Sequence, residues 1–222
     1  YEGTYKYEDF DTSVNDKGET VYKLKEGIPY YTANTQPGDP KYKNMDDNLQ
    51  INDADKVAIG NGQPKHTGGF TNNFTYKNFD LNIFMTWSYG NDILNANRMV
   101  FENPSSKQNT NMFATYVNRW SESNPYSDMP RAKAQGASEY SSLYVEDGSF
   151  LKLKNITLGY NFKPKTLHPL HISSARVYLS AENIATITSY SGSDPEVSTR
   201  NSVLTPGFDW SAYPRAFNLS LG

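Results

Sequence analysis

Alternation of apolar and polar residues with a period of two is the feature that most constrains this 222-residue chain. Between Phe79 and Tyr89 the odd-numbered side chains are apolar or aromatic, and the even-numbered ones are polar except for Phe84. Successive side chains of a β-strand point to opposite faces, so this segment is predicted to be a strand with one apolar and one polar face. A hairpin turn at Lys77 and Asn78 is predicted to join it to a similar segment that precedes it.

Three further segments show the same pattern. The segment from Tyr144 to Phe162 changes phase near its middle, and a β-bulge near Lys154-Asn155 would account for that change. Residues 176–182 alternate, and so do residues 217–221. Helical periodicity is scarce, so the chain is predicted to be all-β.

The connections between these segments alternate in length. Short links lie at 77–78 and 163–174, whereas long ones run over about 37–65, 90–143 and 189–212. A compact soluble domain seldom contains several structureless loops longer than about 15 residues. In an outer-membrane barrel, by contrast, the periplasmic turns are short and the extracellular loops are long. The sequence therefore predicts part of an antiparallel transmembrane β-barrel, with about six to eight strands in this chain.

The alternation also assigns the two faces of such a barrel. The polar set is predicted to face the lumen and the apolar set to face lipid. The predicted lumen-facing residues are Asp80, Asn82, Thr86, Ser88, Arg176, Tyr178, Ser180 and Glu182. The predicted lipid-facing residues are Leu81, Ile83, Met85, Val177 and Leu179.

Composition narrows the classes of function. The formal net charge of −3 argues against the phosphate-backbone contacts that drive nucleic-acid binding. The absence of cysteine excludes thiol nucleophiles, disulfides and cysteine-ligated zinc. A mean hydropathy of −0.72 and the lack of an apolar run near 18 residues exclude a transmembrane helix. Neither observation argues against a barrel, because half the residues of a barrel strand are polar.

Five motif groups together resemble one family. They are residues 66–70 with 76–81, 118–120 with 128–132, 144–160 (YVEDGSFLKLKNITLGY), 181–183 with 190–196, and 212–215. In this order and spacing they resemble the C-terminal part of the SusC/RagA family of TonB-dependent outer-membrane transporters of Bacteroidetes. The resemblance covers about residues 37–222, and residues 144–160 carry it most specifically.

The resemblance implies a barrel of many strands in the bacterial outer membrane, in contact with the lipid bilayer and filled by an N-terminal plug. It further implies a SusD-like surface lipoprotein as partner and the import of oligosaccharides or peptides. Energy would come from the TonB complex through the N-terminal part. Residues 1–222 would then be a C-terminal segment of this receptor barrel, without the plug and N-terminal domains. A start at Tyr1 rather than Met, and a stop inside an alternating segment, agree with this expectation.

An acidic stretch, residues 44–55, can be aligned with a calcium-binding loop of the EF-hand type. The predicted oxygen ligands are Asn44, Asp46, Asn48, the Gln50 carbonyl and Asp55. The stretch departs from the usual pattern, because Asn44 replaces the first Asp and Leu49 stands where glycine would permit a sharp turn. The alternative is a polar loop that holds no metal. No other cofactor is predicted.

Aromatic residues on the long loops have two interpretations. Trp120, Tyr140 and Trp210 are candidates for stacking on a ligand or for contacting the lipoprotein, because large rings bury much area at modest entropic cost. The alternative is that these rings pack the loops against one another.

Catalysis is not predicted. The sequence has no nucleophile elbow, no P-loop and no H-E-x-x-H motif. His168 and His171 lack the further ligands of a zinc site, and no pair among the 24 acidic residues is singled out for glycoside hydrolysis. The main alternative to the transporter is a soluble, secreted, glycan-binding β-sandwich, in which the apolar faces of two sheets would meet in one core.

Overall fold

Strand pairing follows the alternation of the sequence. The structure is a computed structural model that describes residues 1–103, 111–197 and 205–222. Residues 104–110 and 198–204, which belong to the predicted loops 90–143 and 189–212, lie outside the described residues. The strands, in chain order, are β1 (Gly3–Thr4), β2 (Phe10–Val14), β3 (Thr20–Leu24), β4 (Pro40–Lys41), β5 (His66–Tyr76), β6 (Phe79–Tyr89), β7 (Asp92–Asn95), β8 (Val145–Asp147), β9 (Phe150–Asn161), β10 (Arg176–Thr188), β11 (Phe208–Asp209) and β12 (Asn218–Leu221).

Among the described residues, helices are few and short. They are α1 (Ala96–Phe101), α2 (Pro164–Leu167) and 3-10 turns at Tyr7–Asp9, Asp53–Asp55, Ala114–Asn118, Ser142–Tyr144 and His168–Leu170. Within the three described ranges, no helix has the length and apolar character needed to cross a membrane. The chain divides into two compact units, the first made of residues 1–59 and 95–145 and the second of residues 60–94 and 146–222.

The first unit consists mainly of loops, with β1 paired to β4 and β2 paired to β3. Its organising group is the buried carboxylate of Asp39, which is 2% exposed. Asp39 accepts hydrogen bonds from Arg131 Nε at 2.7 Å and from the backbone N–H groups of Gln36 at 2.9 Å and Gln135 at 3.2 Å. These donors lie in distant parts of the chain, so one buried carboxylate ties residues 1–59 to residues 95–145.

The second unit is built on a five-stranded antiparallel sheet in the order β12-β10-β9-β6-β5. The hairpin of β5 and β6 turns at Lys77 and Asn78, as predicted, and β9 and β10 are the other pair joined by a short link. Long connections separate β6 from β9 and β10 from β12. A smaller sheet has the order β11-β7-β8.

The predicted β-bulge lies in the middle of β9. Asn155 pairs with Phe84 of β6, and Leu153 pairs with the next β6 residue, Met85, so Lys154 is the extra residue on β9. Directly paired residues share a face of a sheet. The bulge therefore keeps Leu153 and Ile156 on the same face although their numbers differ in parity, which confirms the explanation for the change of phase.

The two faces of the sheet differ in chemistry as predicted. The polar face carries Asp80, Asn82, Thr86, Ser88, Arg176, Tyr178, Ser180 and Glu182, and the opposite face carries Leu81, Ile83, Met85, Val177 and Leu179. Hydrogen bonds cross the polar face, including Arg176 Nη2 to Asp80 Oδ2 at 2.5 Å and Asn155 Nδ2 to Ser180 Oγ at 3.0 Å. The apolar face is left open, since Leu179 is 45% exposed and Leu219 is 62% exposed.

Close packing of Trp87 over Gly68 leads to the first prediction. A Cβ atom added at Gly68 would lie 2.2 Å from Trp87 Cζ2, whereas one at the neighbouring Gly69 would lie 3.4 Å from the nearest atom, Phe84 Cε2. We expect Gly68→Ala in the full-length protein to lower the free energy of unfolding by about 1–3 kcal/mol, because the indole must move. Gly69→Ala should change it by less than about 0.5 kcal/mol. Denaturant titration measures both values, and equal stability of the two variants would contradict the packing argument.

Candidate functional site

A groove of about 920 Å³ lies within the first unit. Tyrosines and apolar side chains form much of its wall, and charged groups stand among them. The aromatic and apolar lining includes Tyr31, Tyr42, Tyr140, Met45, Ile51 and Val57, and the charged lining includes Asp53, Asp55, Glu139, Lys43 and Lys56. A concave, largely apolar surface with a few polar groups is typical of ligand sites.

Hydrogen bonds hold two of these tyrosines in place. Tyr31 Oη donates to Glu139 Oε1 at 2.9 Å, and Tyr42 Oη donates to the Gly136 carbonyl at 2.7 Å. Their ring centroids lie 6.1 Å apart at an interplanar angle of 66°. The hydrogen bond to Glu139 raises the pKa of Tyr31, and burial raises the pKa of Tyr42. Both phenols therefore stay neutral at physiological pH and present rigid aromatic surface.

Tyr140 differs from these two rings because it is 67% exposed. It lines the same groove, with Glu139 as its neighbour in sequence. An exposed ring beside a fixed carboxylate can stack on a planar or ring-shaped group while the carboxylate accepts hydrogen bonds. The sequence predicted a contact role for Tyr140 but did not predict Tyr31, Tyr42 or Glu139 beside it.

The predicted calcium loop folds into a ladder of side-chain-to-backbone hydrogen bonds. Asn44 Oδ1 accepts from the Asp46 N–H at 3.2 Å, Asp46 Oδ1 from Asn48 at 3.1 Å, and Asn48 Oδ1 from Gln50 at 2.9 Å. Each is a local turn in which an Asx side chain bonds the backbone two residues further on. This pattern accounts for the Asn and Asp residues at alternate positions.

Asp55 closes this loop. Its Oδ1 accepts from the Met45 N–H at 2.7 Å and its Oδ2 from the Asn52 N–H at 2.8 Å. These two bonds hold the pKa of Asp55 below its ordinary value. Of the five predicted ligands only Asp55 lines the groove. In the part of the chain that the structure describes, no group of three or more His, Asp or Glu side chains is arranged to hold a metal ion, so calcium binding stays a prediction.

The two tryptophans occupy different environments. Trp120 is 9% exposed, its ring lies against Gly38, and its centroid is 5.5 Å from that of Tyr7. Gly38 has φ +84°, and a Cβ atom there would lie 2.4 Å from the indole. This packing accounts for the burial of Trp120. Trp210 lies in the second unit and is 43% exposed. The ligand-contact role of both residues stays a prediction.

Similarity to curated proteins covers most of the chain. TonB-dependent receptor P3 of Formosa agariphila is 34% identical over 202 residues, which are 89% of this chain and 20% of that protein. TonB-dependent receptor SusC of Bacteroides thetaiotaomicron is 29% identical over 197 residues, which are 86% of this chain and 18% of that protein. No model of a known protein family matches the sequence. The chain spans about a fifth of the length of these relatives.

Solved structures share the fold. The structure of the RagAB peptide transporter superposes with a TM-score of 0.67 and 22% identity, over all of this chain and 22% of that chain. The RagAB peptide importer in its open-open state gives a TM-score of 0.62 and 25% identity, over 96% of this chain and 21% of that chain.

These relatives define the class as TonB-dependent receptors. The chain belongs to the SusC/RagA family of these receptors, as the motif resemblance predicted. The relatives are named as receptors rather than enzymes, which agrees with the prediction that the chain is not an enzyme.

Calcium binding can be tested through the charge of Asp46. Asn at this position keeps an oxygen for the Asn48 N–H, so Asp46→Asn preserves the turn while removing a negative ligand. We expect Ca²⁺ to raise the thermal stability of the full-length protein, and Asp46→Asn to weaken the apparent affinity by about tenfold or more. Thermal unfolding over a Ca²⁺ titration measures both effects.

The matched control is Asp47→Asn, since Asp47 is an adjacent acid outside the predicted ligand set. It should leave the response to Ca²⁺ unchanged. A wild-type melting temperature that does not respond to millimolar Ca²⁺ would contradict the calcium prediction.

Proposed function

We propose that this chain forms part of the wall and extracellular side of an outer-membrane transporter that imports oligosaccharides or peptides. A SusD-like surface lipoprotein is the proposed partner, and the TonB complex is the proposed source of energy through other parts of the protein. The observation that carries the proposal is the five-stranded sheet with one polar and one apolar face. The barrel itself would be closed by strands outside this chain.

The height of the apolar face supports a membrane-spanning position. Phe79 and Tyr160 lie in contact at one end of the sheet, with ring centroids 4.8 Å apart and an interplanar angle of 57°. Trp87, His66 and Tyr89 lie together at the other end. Trp87 lies eight positions after Phe79, which corresponds to about 26 Å along a strand at about 3.3 Å per residue. Outer-membrane barrels have an apolar band of about 25 Å between two aromatic girdles.

The exposure of the apolar face argues against the alternative β-sandwich. A sandwich would cover this face with a second sheet, yet Ile187 is 70% exposed and Leu221 is 77% exposed. Large exposed apolar surfaces mark contact with a membrane or a partner. Contact with lipid would cover this apolar face without a second layer of protein.

The kind of cargo is proposed from the relatives and from the groove. The RagAB structures are those of a peptide importer. In this chain the tyrosine-lined groove, with Tyr140 exposed and Tyr31 fixed by Glu139, supplies a surface suited to either sugar rings or peptide. We assign the groove to contact with cargo or with the lipoprotein on the extracellular side.

Labelling of single cysteines tests the orientation of the sheet. The chain has no cysteine, and Leu81 and Asn82 are neighbours on opposite faces of β6. In outer membranes that contain the full-length protein without other cysteines, Asn82→Cys should react with a water-soluble maleimide. Leu81→Cys should react only with a lipid-soluble one. The reverse pattern, or equal reactivity of both sites with the water-soluble reagent, would contradict the orientation.

Substitution of Tyr140 tests the groove. We expect Tyr140→Ala to weaken binding by about tenfold, as loss of an exposed aromatic contact often does. The control is Tyr126→Ala, because Tyr126 is similarly exposed at 71% and is not part of the groove lining. Binding is measured by calorimetry on the purified full-length complex with a panel of neutral oligosaccharides and a panel of short peptides. Equal effects of the two substitutions on binding would contradict a role of the groove in ligand contact.

A further inference from the structure

Five charged side chains meet on the polar face of the sheet in the second unit. Lys152 Nζ lies 2.8 Å from Asp194 Oδ1 and 2.8 Å from Glu196 Oε2. Lys154 Nζ lies 2.9 Å from Glu196 Oε1. Arg215 Nε lies 2.5 Å from Asp194 Oδ2, and its Nη2 lies 3.3 Å from Glu196 Oε2. Three cations thus surround two carboxylates.

Lys152 is the most buried cation of the cluster, so its stability depends most on the paired carboxylates. Its side chain is 3% exposed, and its cross-strand neighbours are Thr86 and Thr186, which carry no charge. A buried ammonium without a paired anion is strongly destabilising. The carboxylates of Asp194 and Glu196 meet this need, and both belong to the connection that follows β10 rather than to the sheet.

That connection is fixed by further hydrogen bonds, two of them to β8 of the smaller sheet and one within the connection itself. Ser191 donates from its backbone N–H and from Oγ to the two carboxylate oxygens of Glu146, each at 2.8 Å. Asp194 Oδ1 also accepts from the Glu196 N–H at 2.9 Å, across Pro195. Burial raises the pKa of both carboxyl groups, but the bonds from Lys152 outweigh it, so both pKa values lie below their ordinary range. The pair is therefore ionised at neutral pH.

Residues 194–197, called the strap here, form one wall of a pocket of about 550 Å³ in the second unit. Pro195, Glu196 and Val197 line it from the strap, and Phe84, Thr86 and Phe150 line it from the polar face of the sheet. Thr86 Oγ1 is buried and has no hydrogen-bond partner. Phe84 is the one apolar residue among the polar-face residues of β6. Its position in the pocket wall accounts for that exception.

The charge balance makes opening of the strap depend on an anion that can replace its two carboxylates. The cluster holds three positive and two negative charges, and both negative charges leave with the strap. Departure of the strap alone would cost the ion pairs of Lys152, Lys154 and Arg215, because both of their carboxylate partners would be lost. An external anion that reaches Lys152 removes that cost, because it replaces the carboxylates.

We propose that residues 194–197 are an internal anionic strap that closes this pocket, and that a carboxylate- or sulfate-bearing ligand opens it by replacing Asp194 and Glu196 on Lys152, Lys154 and Arg215. A role of the strap in gating cargo rests on the proposed transport function. Closure of the pocket and its response to anions are independent of that function.

Thiol accessibility at Thr86 tests the strap. Thr86→Cys in the full-length protein without other cysteines should react slowly with a water-soluble maleimide. Adding Asp194→Asn and Glu196→Gln should raise the rate by about tenfold or more, because the neutral strap no longer pairs with Lys152. The matched control is Glu182→Gln, an exposed acid of β10 on the same face outside the cluster, which should leave the rate unchanged. Equal rates for the double variant and this control would overturn the closure.

The anion response is measured with sodium succinate and sodium sulfate against sodium chloride at equal ionic strength. Both divalent anions should speed labelling of Thr86→Cys beyond the effect of chloride, and should add nothing in the Asp194→Asn, Glu196→Gln background. The same rates in all three salts would overturn the anion dependence.

Two further measurements keep the test decisive. If the double variant does not fold, Arg215→Gln is tested instead. It removes the most exposed cation of the cluster, which is 45% exposed, and should give an intermediate rise in the labelling rate of Thr86→Cys. No rise in that variant would count against the strap. Labelling at Leu81 and Asn82 does not depend on the strap, so failure of the strap and failure of the membrane orientation are distinguishable.

Discussion

The antiparallel register of β6, β9 and β10 is the constraint on which the rest of the second unit depends. Backbone hydrogen bonding places paired residues on the same face, so one shift by a single residue would exchange the polar and apolar sets. The bulge at Lys154 absorbs such a shift inside β9 and leaves Leu153 and Ile156 facing the same side. Register therefore decides which residues meet lipid and which meet one another in the proposed barrel.

Charged groups are retained in both units where a single buried group joins distant segments. In the first unit Asp39 bonds Arg131 and two backbone N–H groups, and in the second Lys152 bonds Asp194 and Glu196. Removing one partner of a buried pair leaves the other uncompensated, which is far more costly than losing an exposed pair. Long connections with little regular structure thereby acquire a defined position without a large apolar core.

The long strands were predictable because alternation is a local property. The hairpin at Lys77-Asn78, the bulge near Lys154 and the two faces of β6 all follow from residues within about ten positions of each other. The groove was not predictable, because Tyr31 and Glu139 are separated by 108 positions and meet only through loops. The packing of the Trp120 indole ring against Gly38 was not predictable either, because the two residues are far apart in the sequence.

The sequence by itself determined the all-β class, the faces of the strands and membership of the SusC/RagA family, because period-two patterning and short motifs are local. Only the tertiary structure decided which charges pair. Asp194 lies 42 positions from Lys152, and nothing in the residues around either one predicts that they meet. Partners at that separation are selected by the fold, which positions loops through buried groups that must be satisfied.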